Sequence, residues 1–378
     1  MFGNSWRIGR VAGIDVRIDA SWTFVALLIG YSFYVQIRLG YRETTFGSAA
    51  LLAAVAAVLF FGSVFLHELA HALTSLRKGI RVHDITLFIF GGVTRADVGS
   101  KTPGDEFTIA LVGPLTSLVL GGLCFAAAAG ADAAGAAEPV VGTIAYLGSV
   151  NVVLGLFNLV PGYPLDGGRL LRSAIWRVSG DPDRATTTAA AIGQGIGWLL
   201  VAGGVALVVL EGAFGGLWLA FIGWFLVQAA RSSAADVELR SMLANVRARE
   251  VMAGDLVPIP SGSTLQEAVD GYFMRYDHGS FPVDRDGRTV GLLTLRAVKR
   301  VPRERWAATR VDDAMTAVGD EITVGPDSPM DRVLERLQEV DGGRVLVASD
   351  GEVVGIVTTT DLARWLARRR RLEAREPA

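Results

Sequence analysis

The chain has 378 residues, of which 51% are hydrophobic and 20% are charged, and its formal net charge at pH 7 is −2. This composition is too apolar for an ordinary soluble domain, and the near-neutral charge excludes the broad basic field of a nucleic-acid-binding protein. The one cysteine, Cys124, excludes an internal disulfide. We therefore expect a protein embedded in a lipid bilayer, with a soluble part and without nucleic acid as a direct partner.

The first 19 residues alternate short apolar and charged stretches, which predicts a hairpin or an amphipathic segment. The apolar run from Ala20 to Ile37 is long enough for a first transmembrane helix. Arg38 follows it where a signal peptide would have a small-residue cleavage site, so we expect the run to remain in the protein. Six predominantly apolar runs are candidate membrane spans, at residues 20–37, 48–76, 107–131, 139–165, 185–210 and 212–230.

Lysine and arginine are concentrated in segments 77–105 and 169–184 and from residue 231 onward, whereas the loops at 132–138 and 211 contain neither. The positive-inside rule then places the basic segments and both termini in the cytosol, although two arginines after the first span disagree. The expected fold class is a polytopic α-helical membrane protein with about six transmembrane helices and a C-terminal α/β domain. We expect it in the cell (plasma) membrane, with the C-terminal domain cytosolic.

The second predicted span ends in an H-E-x-x-H motif formed by His67, Glu68 and His71. Histidines four residues apart lie on one face of a helix, so both can bind one Zn²⁺ while the glutamate deprotonates a bound water. The alternative is a pair of helix-surface histidines beside a carboxylate. Ionisable groups at the end of a membrane helix need a reason to be there, and the chain has only four histidines. The motif therefore predicts a catalytic zinc site.

Residues 82–94 are expected to form β-strands around the diglycine Gly91-Gly92. Backbone at membrane depth must be covered by protein or must line a wet cavity. A strand containing Gly91, Gly92 and Val93 beside the active site could bind an extended substrate by edge pairing. A structural hairpin that caps the core is the alternative, and His83 is expected to be structural rather than a ligand.

A catalytic zinc usually has three protein ligands and a water, so the two histidines need a partner. Asp166 is the best candidate, because Pro161, Pro164 and the pair Gly167-Gly168 should break the fourth span and turn the chain back towards the core. A carboxylate at membrane depth is costly unless it is paired or bound to metal. The alternative role for Asp166 is to cap a helix over residues 168–178.

Two further features should lie at a similar depth. Asn158 is a polar amide near the end of the fourth span, and Gly113-Pro114 is expected to interrupt the third. Asn158 could donate a hydrogen bond to a developing oxyanion, or it could serve helix packing together with the small residues.

These motifs resemble those of the site-2 protease (M50) family of intramembrane zinc metalloproteases. The resemblance covers about residues 1–235 and includes the Pro-Leu-Asp-Gly-Gly-Arg sequence that ends at Arg169. It implies that His67, His71 and Asp166 bind zinc and that Glu68 is the catalytic base. It also implies substrates that are transmembrane segments of regulatory proteins, such as anti-sigma factors or membrane-tethered transcription factors, cleaved near the cytosolic face.

A second domain follows the membrane spans. After a membrane domain at 1–235, the charged residues at 236–249 predict a helical linker. Two repeats at 250–305 and 306–367 then share the order strand, helix, strand, strand, helix. The basic tail at 368–378 could touch anionic lipid head groups or form the solvated end of the last helix.

The repeats resemble a tandem pair of cystathionine-β-synthase (CBS) domains, which pack as a pseudo-dimer and often bind adenine nucleotides. Thr358-Thr359-Thr360-Asp361 matches the family's hydroxyl-x-x-Asp segment, which implies that Asp361 holds ribose hydroxyls and that Thr358 faces phosphate. The first repeat has Ala297 in place of the aspartate, so at most one complete nucleotide site is expected. A pair that only shapes the structure or a homodimer, and binds nothing, is the alternative.

Two classes of function follow from these motifs. The first is an intramembrane zinc metalloprotease, acting in regulated intramembrane proteolysis and modulated by its cytosolic CBS pair. The second is a CBS-regulated membrane transporter or channel in which the metal is structural or transported. A general base beside two metal ligands is superfluous in a structural site, which favours the protease.

Overall fold

The computed structural model describes residues 5–88, 91–96, 100–340 and 342–373. The chain divides into two compact units, residues 1–237 and 238–378. The first unit contains the long apolar helices and one mixed sheet, and the second contains two small sheets with shorter helices. The chain is thus an α-helical membrane protein with a C-terminal α/β part, as predicted.

The described chain begins with the predicted hairpin. Strand β1 (Ser5–Val11) pairs antiparallel with β2 (Ile14–Asp19). The two turn residues, Ala12 and Gly13, have φ values of 51° and 83°. Two consecutive positive φ angles match the right-handed twist of the flanking strands, which is why such two-residue turns close hairpins.

Two helices, two strands and five further helices follow, and the last helix continues into the second unit. They are α1 (Ala20–Gly40), α2 (Phe46–Arg77), β3 (Val82–Phe88), β4 (Gly91–Ala96), α3 (Pro103–Ala133), α4 (Glu138–Asn158), α5 (Asp166–Ser179), α6 (Pro182–Glu211) and α7 (Gly215–Leu243). In the described chain, α1, α2, α3, α4 and α6 are long and apolar enough to cross a membrane. They match five of the six predicted spans. The sixth, 212–230, lies mostly in α7, where polar and charged residues from Gln228 onward lower the hydropathy of the helix.

The structure corrects two predictions about prolines. Helix α3 passes through Gly113-Pro114 without interruption, because a proline removes one helical hydrogen bond but neighbouring helices keep the segment packed. The fourth span, predicted to reach Leu165, ends at Asn158 instead. The residue before a proline disfavours the helical conformation, so the prolines that follow α4 stop the helix earlier than its apolar composition suggests.

The sheet of the first unit has the order β1-β2-β3-β4, in which only β2 and β3 run parallel. The diglycine was predicted as the turn between two strands, but it opens β4 instead. Gly91 pairs with Phe88 and Gly92 with Leu87. β4 is the outer strand of this sheet in the described part of the chain, so its other backbone edge faces away from β3.

The second unit repeats the predicted layout twice. The elements of its first half are α8 (Ala248–Val251), β5 (Ile259–Pro260), α9 (Leu265–Ala268), β6 (Ser280–Arg285), β7 (Arg288–Thr294) and α10 (Leu295–Arg300). Those of its second half are α11 (Val311–Ala314), β8 (Thr316–Ala317), β9 (Thr323–Val324), α12 (Met330–Glu339), β10 (Arg344–Ser349), β11 (Glu352–Thr358) and α13 (Thr359–Glu373). The main hairpins of the halves share a register, because Val283 pairs with Gly291, Val347 pairs with Gly355, and a bulge follows each pair.

The end of α7 belongs to the second unit. Leu243 and Val246 are buried there against residues of α12 and β10, including Leu337 and Val347. Of the linker predicted at 236–249, residues 236–243 are helical, residues 244–247 connect the two helices, and residues 248–249 begin α8.

Candidate active site

His67 and His71 lie on the same face of α2, as the helical spacing requires. Each is 5% exposed, and their Nε2 atoms are 3.2 Å apart. Two buried imidazole nitrogens that face each other at this distance need a shared proton or cation between them. The pair is therefore arranged to bind a cation.

Asp166 completes the cluster as the first residue of α5. Its Oδ2 atom lies 3.1 Å from Nε2 of His67 and 3.2 Å from Nε2 of His71. The N-cap position of α5 is taken by Leu165, so the Asp166 carboxylate faces the histidines and does not cap the helix. The structure thus brings together the three residues predicted as metal ligands.

The diglycine after Asp166 was predicted to break the helix, but it forms the first turn of α5. A Cβ atom on Gly167 would lie 2.3 Å from the carbonyl oxygen of Leu159, and one on Gly168 would lie 2.3 Å from the backbone nitrogen of Tyr163. Only glycine fits at such distances from backbone atoms. The loop after α4 therefore packs tightly on the start of α5 and fixes the position of Asp166.

The three donor atoms fit a tetrahedral zinc. Zinc binds imidazole nitrogen and carboxylate oxygen at about 2.0–2.2 Å, which places two ligand atoms of a tetrahedron about 3.3 Å apart. The separations here are 3.1, 3.2 and 3.2 Å. Two imidazoles and one carboxylate also leave the fourth position open for water, as in catalytic zinc sites. His67, His71 and Asp166 can therefore hold a zinc ion.

One face of α3 supports both rings. Nδ1 of His71 donates to the carbonyl oxygen of Ile109 at 2.6 Å, and Nδ1 of His67 lies 2.9 Å from Oγ of Ser117. Between them, a Cβ atom on Gly113 would lie 2.1 Å from His71 Nε2 and 2.7 Å from His67 Nε2. Ile109 and Ser117 were not predicted as site residues from the sequence. Ile109 lies four residues before Gly113 and Ser117 lies four residues after it. This four-residue spacing on one helix face was the signal that could have identified them.

Glu68 lies beside β4. Its Oε2 atom accepts a hydrogen bond from Thr94 Oγ1 at 3.2 Å. A Cβ atom on Gly92 would lie 2.3 Å from Cγ of Glu68, so the strand passes directly over this side chain. The glycine allows a backbone to approach the carboxylate closely, and Thr94 holds the carboxylate in one orientation.

A cavity of about 450 Å³ joins these groups. Every residue predicted for the site in the first unit lines it, namely His67, Glu68, His71, Gly91, Gly92, Val93, Asn158 and Asp166. Asn158 donates from Nδ2 to the carbonyl oxygen of Leu154 at 3.0 Å, which leaves its second amide hydrogen for another acceptor. His83 is exposed on β3 and does not line this cavity.

A buried ion cluster lies next to Asp166. Arg169 donates from Nε to Glu106 at 2.9 Å, and Arg172 lies 3.6 Å from the other Glu106 oxygen. Arg169 Nη1 is also 4.0 Å from Oδ1 of Asp166. The ion pairing of the two arginines was not predicted from the sequence, because Glu106 lies on α3, 63 residues before Arg169. The cluster ties the start of α3 to the start of α5.

In the second unit, Thr358 and Asp361 line a smaller cleft of about 180 Å³ together with Gly279 and Arg344. Thr358 donates from its backbone nitrogen and from Oγ1 to Asp361 Oδ2, at 3.1 and 2.7 Å. Burial and the neighbouring Arg296 lower the pKa of Arg344. The cleft therefore contains an acidic group at the start of α13 and a half-buried cation.

The first repeat has only part of this arrangement. Thr294 Oγ1 accepts from the backbone nitrogen of Ala297 at 3.1 Å, as Thr358 Oγ1 accepts from that of Asp361 at 3.2 Å. The hydroxyl caps the following helix in both repeats. Ala297 stands in the first repeat where Asp361 stands in the second, so the acidic group at this position occurs in one repeat.

Comparison with known proteins gives the class of this protein. The profile of peptidase family M50 matches residues 55–133 and 129–202, and that of the CBS domain matches residues 248–304 and 311–368. The chain belongs to peptidase family M50. It is a membrane zinc metalloendopeptidase that carries a CBS pair, which confirms both resemblances seen in the sequence.

Two curated relatives align over nearly the whole chain. The putative zinc metalloprotease Rip3 of Mycobacterium tuberculosis is 37% identical over 368 residues, which cover 95% of this chain and 92% of the relative. The putative zinc metalloprotease sll0528 of Synechocystis is 32% identical over 374 residues, 96% of each chain. The solved site-2 protease from Methanocaldococcus jannaschii aligns with a TM-score of 0.42 and 23% identity, covering 61% of this chain and 95% of that one.

Proposed function

We propose that the chain is an intramembrane protease that hydrolyses a peptide bond in or near a transmembrane segment of a regulatory membrane protein. His67, His71 and Asp166 hold the zinc, and Glu68 is the catalytic base. The observation that carries this proposal is the close triangle of three donor atoms with Glu68 in the same cavity. A cavity bordered by membrane helices suits an apolar peptide in the bilayer better than a soluble one.

The roles of the side chains follow from their chemistry. Zinc held by His67, His71 and Asp166 would polarise the scissile carbonyl and lower the pKa of a bound water. Glu68 takes the proton of the attacking water and returns it to the leaving amine. Asn158 directs its second amide hydrogen at the oxyanion that develops on the carbonyl. Thr94 keeps the Glu68 carboxylate in place while it carries the proton.

The outer edge of β4 positions the substrate. Gly91, Gly92 and Val93 line the catalytic cavity, and no other described strand pairs with that edge. A substrate unwound from its helix can add to this edge as a further strand, because backbone hydrogen bonds replace those of the helix. Its scissile bond then lies near Glu68.

The CBS pair modulates the protease by binding an adenine nucleotide. Asp361 holds the ribose hydroxyls and Thr358 faces phosphate in the cleft that they share with Arg344. The chain lies in the cell membrane with its termini and CBS pair in the cytosol, and two chains associate through their CBS pairs. The domains are the membrane protease at 1–235, the linker at 236–249, the repeats at 250–305 and 306–367, and the tail.

The test is to compare the chain with its Glu68→Gln variant. The variant is expected to keep stoichiometric zinc but to lose cleavage of a membrane substrate by about 100-fold or more, because it lacks the general base. Glu138→Gln, an exposed carboxylate at the start of α4, is the matched control. Membrane-protein fragments present in cells with the wild-type chain and absent with Glu68→Gln identify the substrate.

Retained cleavage by Glu68→Gln would contradict the proposal that the chain is a protease with Glu68 as its base. The transporter or channel alternative predicts near-normal function for that variant and metal transport into vesicles. The relatives named above are metalloproteases, so the alternative has no support from them.

A further inference from the structure

We propose that Ser117 is a positioning residue that orients His67 for metal binding. The inference rests on the proposed zinc site. The Ser117 side chain lies on α3 in the core of the first unit and is 0% exposed. Its Oγ atom is 2.9 Å from Nδ1 of His67, the ring nitrogen that faces away from Asp166.

The two ring nitrogens of a metal-binding imidazole have different roles. When Nε2 binds a metal, Nδ1 carries the proton and needs an acceptor, and that acceptor fixes the rotation of the ring. For His71 the acceptor is the carbonyl oxygen of Ile109 at 2.6 Å. For His67 it is the Ser117 hydroxyl. A hydroxyl both donates and accepts, so it can partner His67 with or without the metal.

The geometry of α3 makes this support specific. Ile109, Gly113 and Ser117 follow one another at intervals of four residues, so they lie along one face of the helix. Gly113 has no side chain, and both rings therefore rest against the helix between the two acceptors. Without the hydroxyl, Nδ1 of His67 would face a buried position that lacks this acceptor, and the ring could turn its Nε2 away from His71 and Asp166.

The test measures zinc binding by the purified full-length chain in detergent micelles. Ser117→Ala is expected to raise the zinc dissociation constant about 10- to 100-fold, the range found when outer-shell partners of metal ligands are removed. Competition with a chromophoric chelator gives the constant. The absorption spectrum of the Co²⁺-loaded variant is expected to differ from that of the wild-type chain, because one ligand is no longer held in place.

Thr116→Val is the matched control. Thr116 is the preceding residue of α3, and its hydroxyl donates to the carbonyl oxygen of Val112 in the same helix at 2.7 Å. The control removes a hydroxyl from α3 without touching either histidine. Its zinc dissociation constant is expected to stay within about twofold of the wild-type value.

The zinc-free proteins separate positioning from folding. Metal-free Ser117→Ala is expected to keep the wild-type fold, although one buried imidazole loses its hydrogen-bond partner. Its equilibrium constant for unfolding is expected to rise about 5- to 150-fold, a loss of about 1–3 kcal/mol at about 1.4 kcal/mol per factor of ten. Unchanged zinc affinity in Ser117→Ala would overturn the inference, and so would a zinc-free variant that does not fold. A wild-type chain that binds no stoichiometric zinc, or a His67→Ala variant that still binds it, would refute the proposed zinc site itself.

Discussion

Gly113 lies directly against His71: a methyl group on its Cα would sit 2.1 Å from the Nε2 atom that faces the metal site. Gly113→Ala is therefore expected to push the ring aside and to weaken zinc binding at least tenfold. Chelator competition on the purified chain measures the change.

Gly122→Ala is the matched control for this substitution, because it lies in the same helix and a Cβ there meets nothing within 4 Å. It is expected to leave zinc binding unchanged. Equal zinc affinity in the two variants would mean that α3 does not hold His71 as described.

The contact between Gly92 and Glu68 gives a different prediction. A Cβ on Gly92 would lie 2.3 Å from Cγ of Glu68, so Gly92→Ala displaces the proposed base without touching a proposed zinc ligand. Zinc binding is expected to stay within about twofold, while kcat falls about 10- to 100-fold because a base misplaced by about 1 Å transfers its proton poorly. Gly9→Ala in β1, where a Cβ meets nothing within 4 Å, is the control. Loss of zinc in Gly92→Ala would contradict this separation of roles.

The buried ion cluster predicts a stability effect. Glu106 is 4% exposed, and its removal leaves two arginines without their carboxylate. Breaking a buried ion pair from one side costs about 3–5 kcal/mol, and the partial exposure of both arginines favours the lower end. Glu106→Gln is therefore expected to lower the free energy of unfolding by about 3 kcal/mol. Denaturant unfolding of the zinc-free chain in micelles measures this change.

The adjacent residue provides the control for Glu106. Asp105 pairs at 2.8 Å with Lys78, and both side chains are partly exposed. An exposed pair contributes about 0–1 kcal/mol, so Asp105→Asn is expected to change the unfolding free energy by less than that amount. Similar losses in the two variants would show that the Glu106 cluster is no stronger than a surface ion pair.

The CBS cleft predicts which residue controls nucleotide binding. Asp361→Asn keeps the size of the side chain but removes its charge, and hydrogen bonds to a charged group contribute about 1.5–3 kcal/mol. Binding of ATP or AMP to the full-length chain is therefore expected to weaken about tenfold or more in isothermal titration calorimetry. Asp331→Asn, an exposed aspartate in the first turn of α12, is expected to bind like the wild-type chain. A wild-type chain that gives no heat with either nucleotide would remove the nucleotide proposal.

The sequence predicted the metal cluster because its signals are local. Two histidines four residues apart lie on one face of a helix and can share a metal there, and the apolar run before them predicts that helix. Asp166 was identified because a carboxylate between prolines and glycines at membrane depth needs a partner. Short spacing and the cost of burying charge were thus enough to place three residues from two distant segments in one site.

The supports of the site were not predicted because they depend on packing between helices. Gly113-Pro114 was interpreted as an interruption, since proline usually ends a helix, and packing against neighbouring helices keeps α3 continuous. The partner of Arg169 lies on another helix and could not be found from spacing. The diglycine Gly91-Gly92 was interpreted only as a turn, whereas the structure shows a close backbone approach to Glu68 at Gly92.

The two histidines differ in how their support can be lost by mutation. The acceptor for His71 is a main-chain oxygen of Ile109, which every residue type at that position would also provide. The acceptor for His67 is a serine hydroxyl, which a single nucleotide change can remove. A saturation screen for inactive alleles should therefore recover many polar-to-apolar changes at codon 117, whereas changes at codon 109 should inactivate only when they disturb packing. Of the two histidines proposed to bind zinc, His71 is supported by a backbone group that mutation at codon 109 does not remove, and His67 is supported by a side chain that mutation can remove.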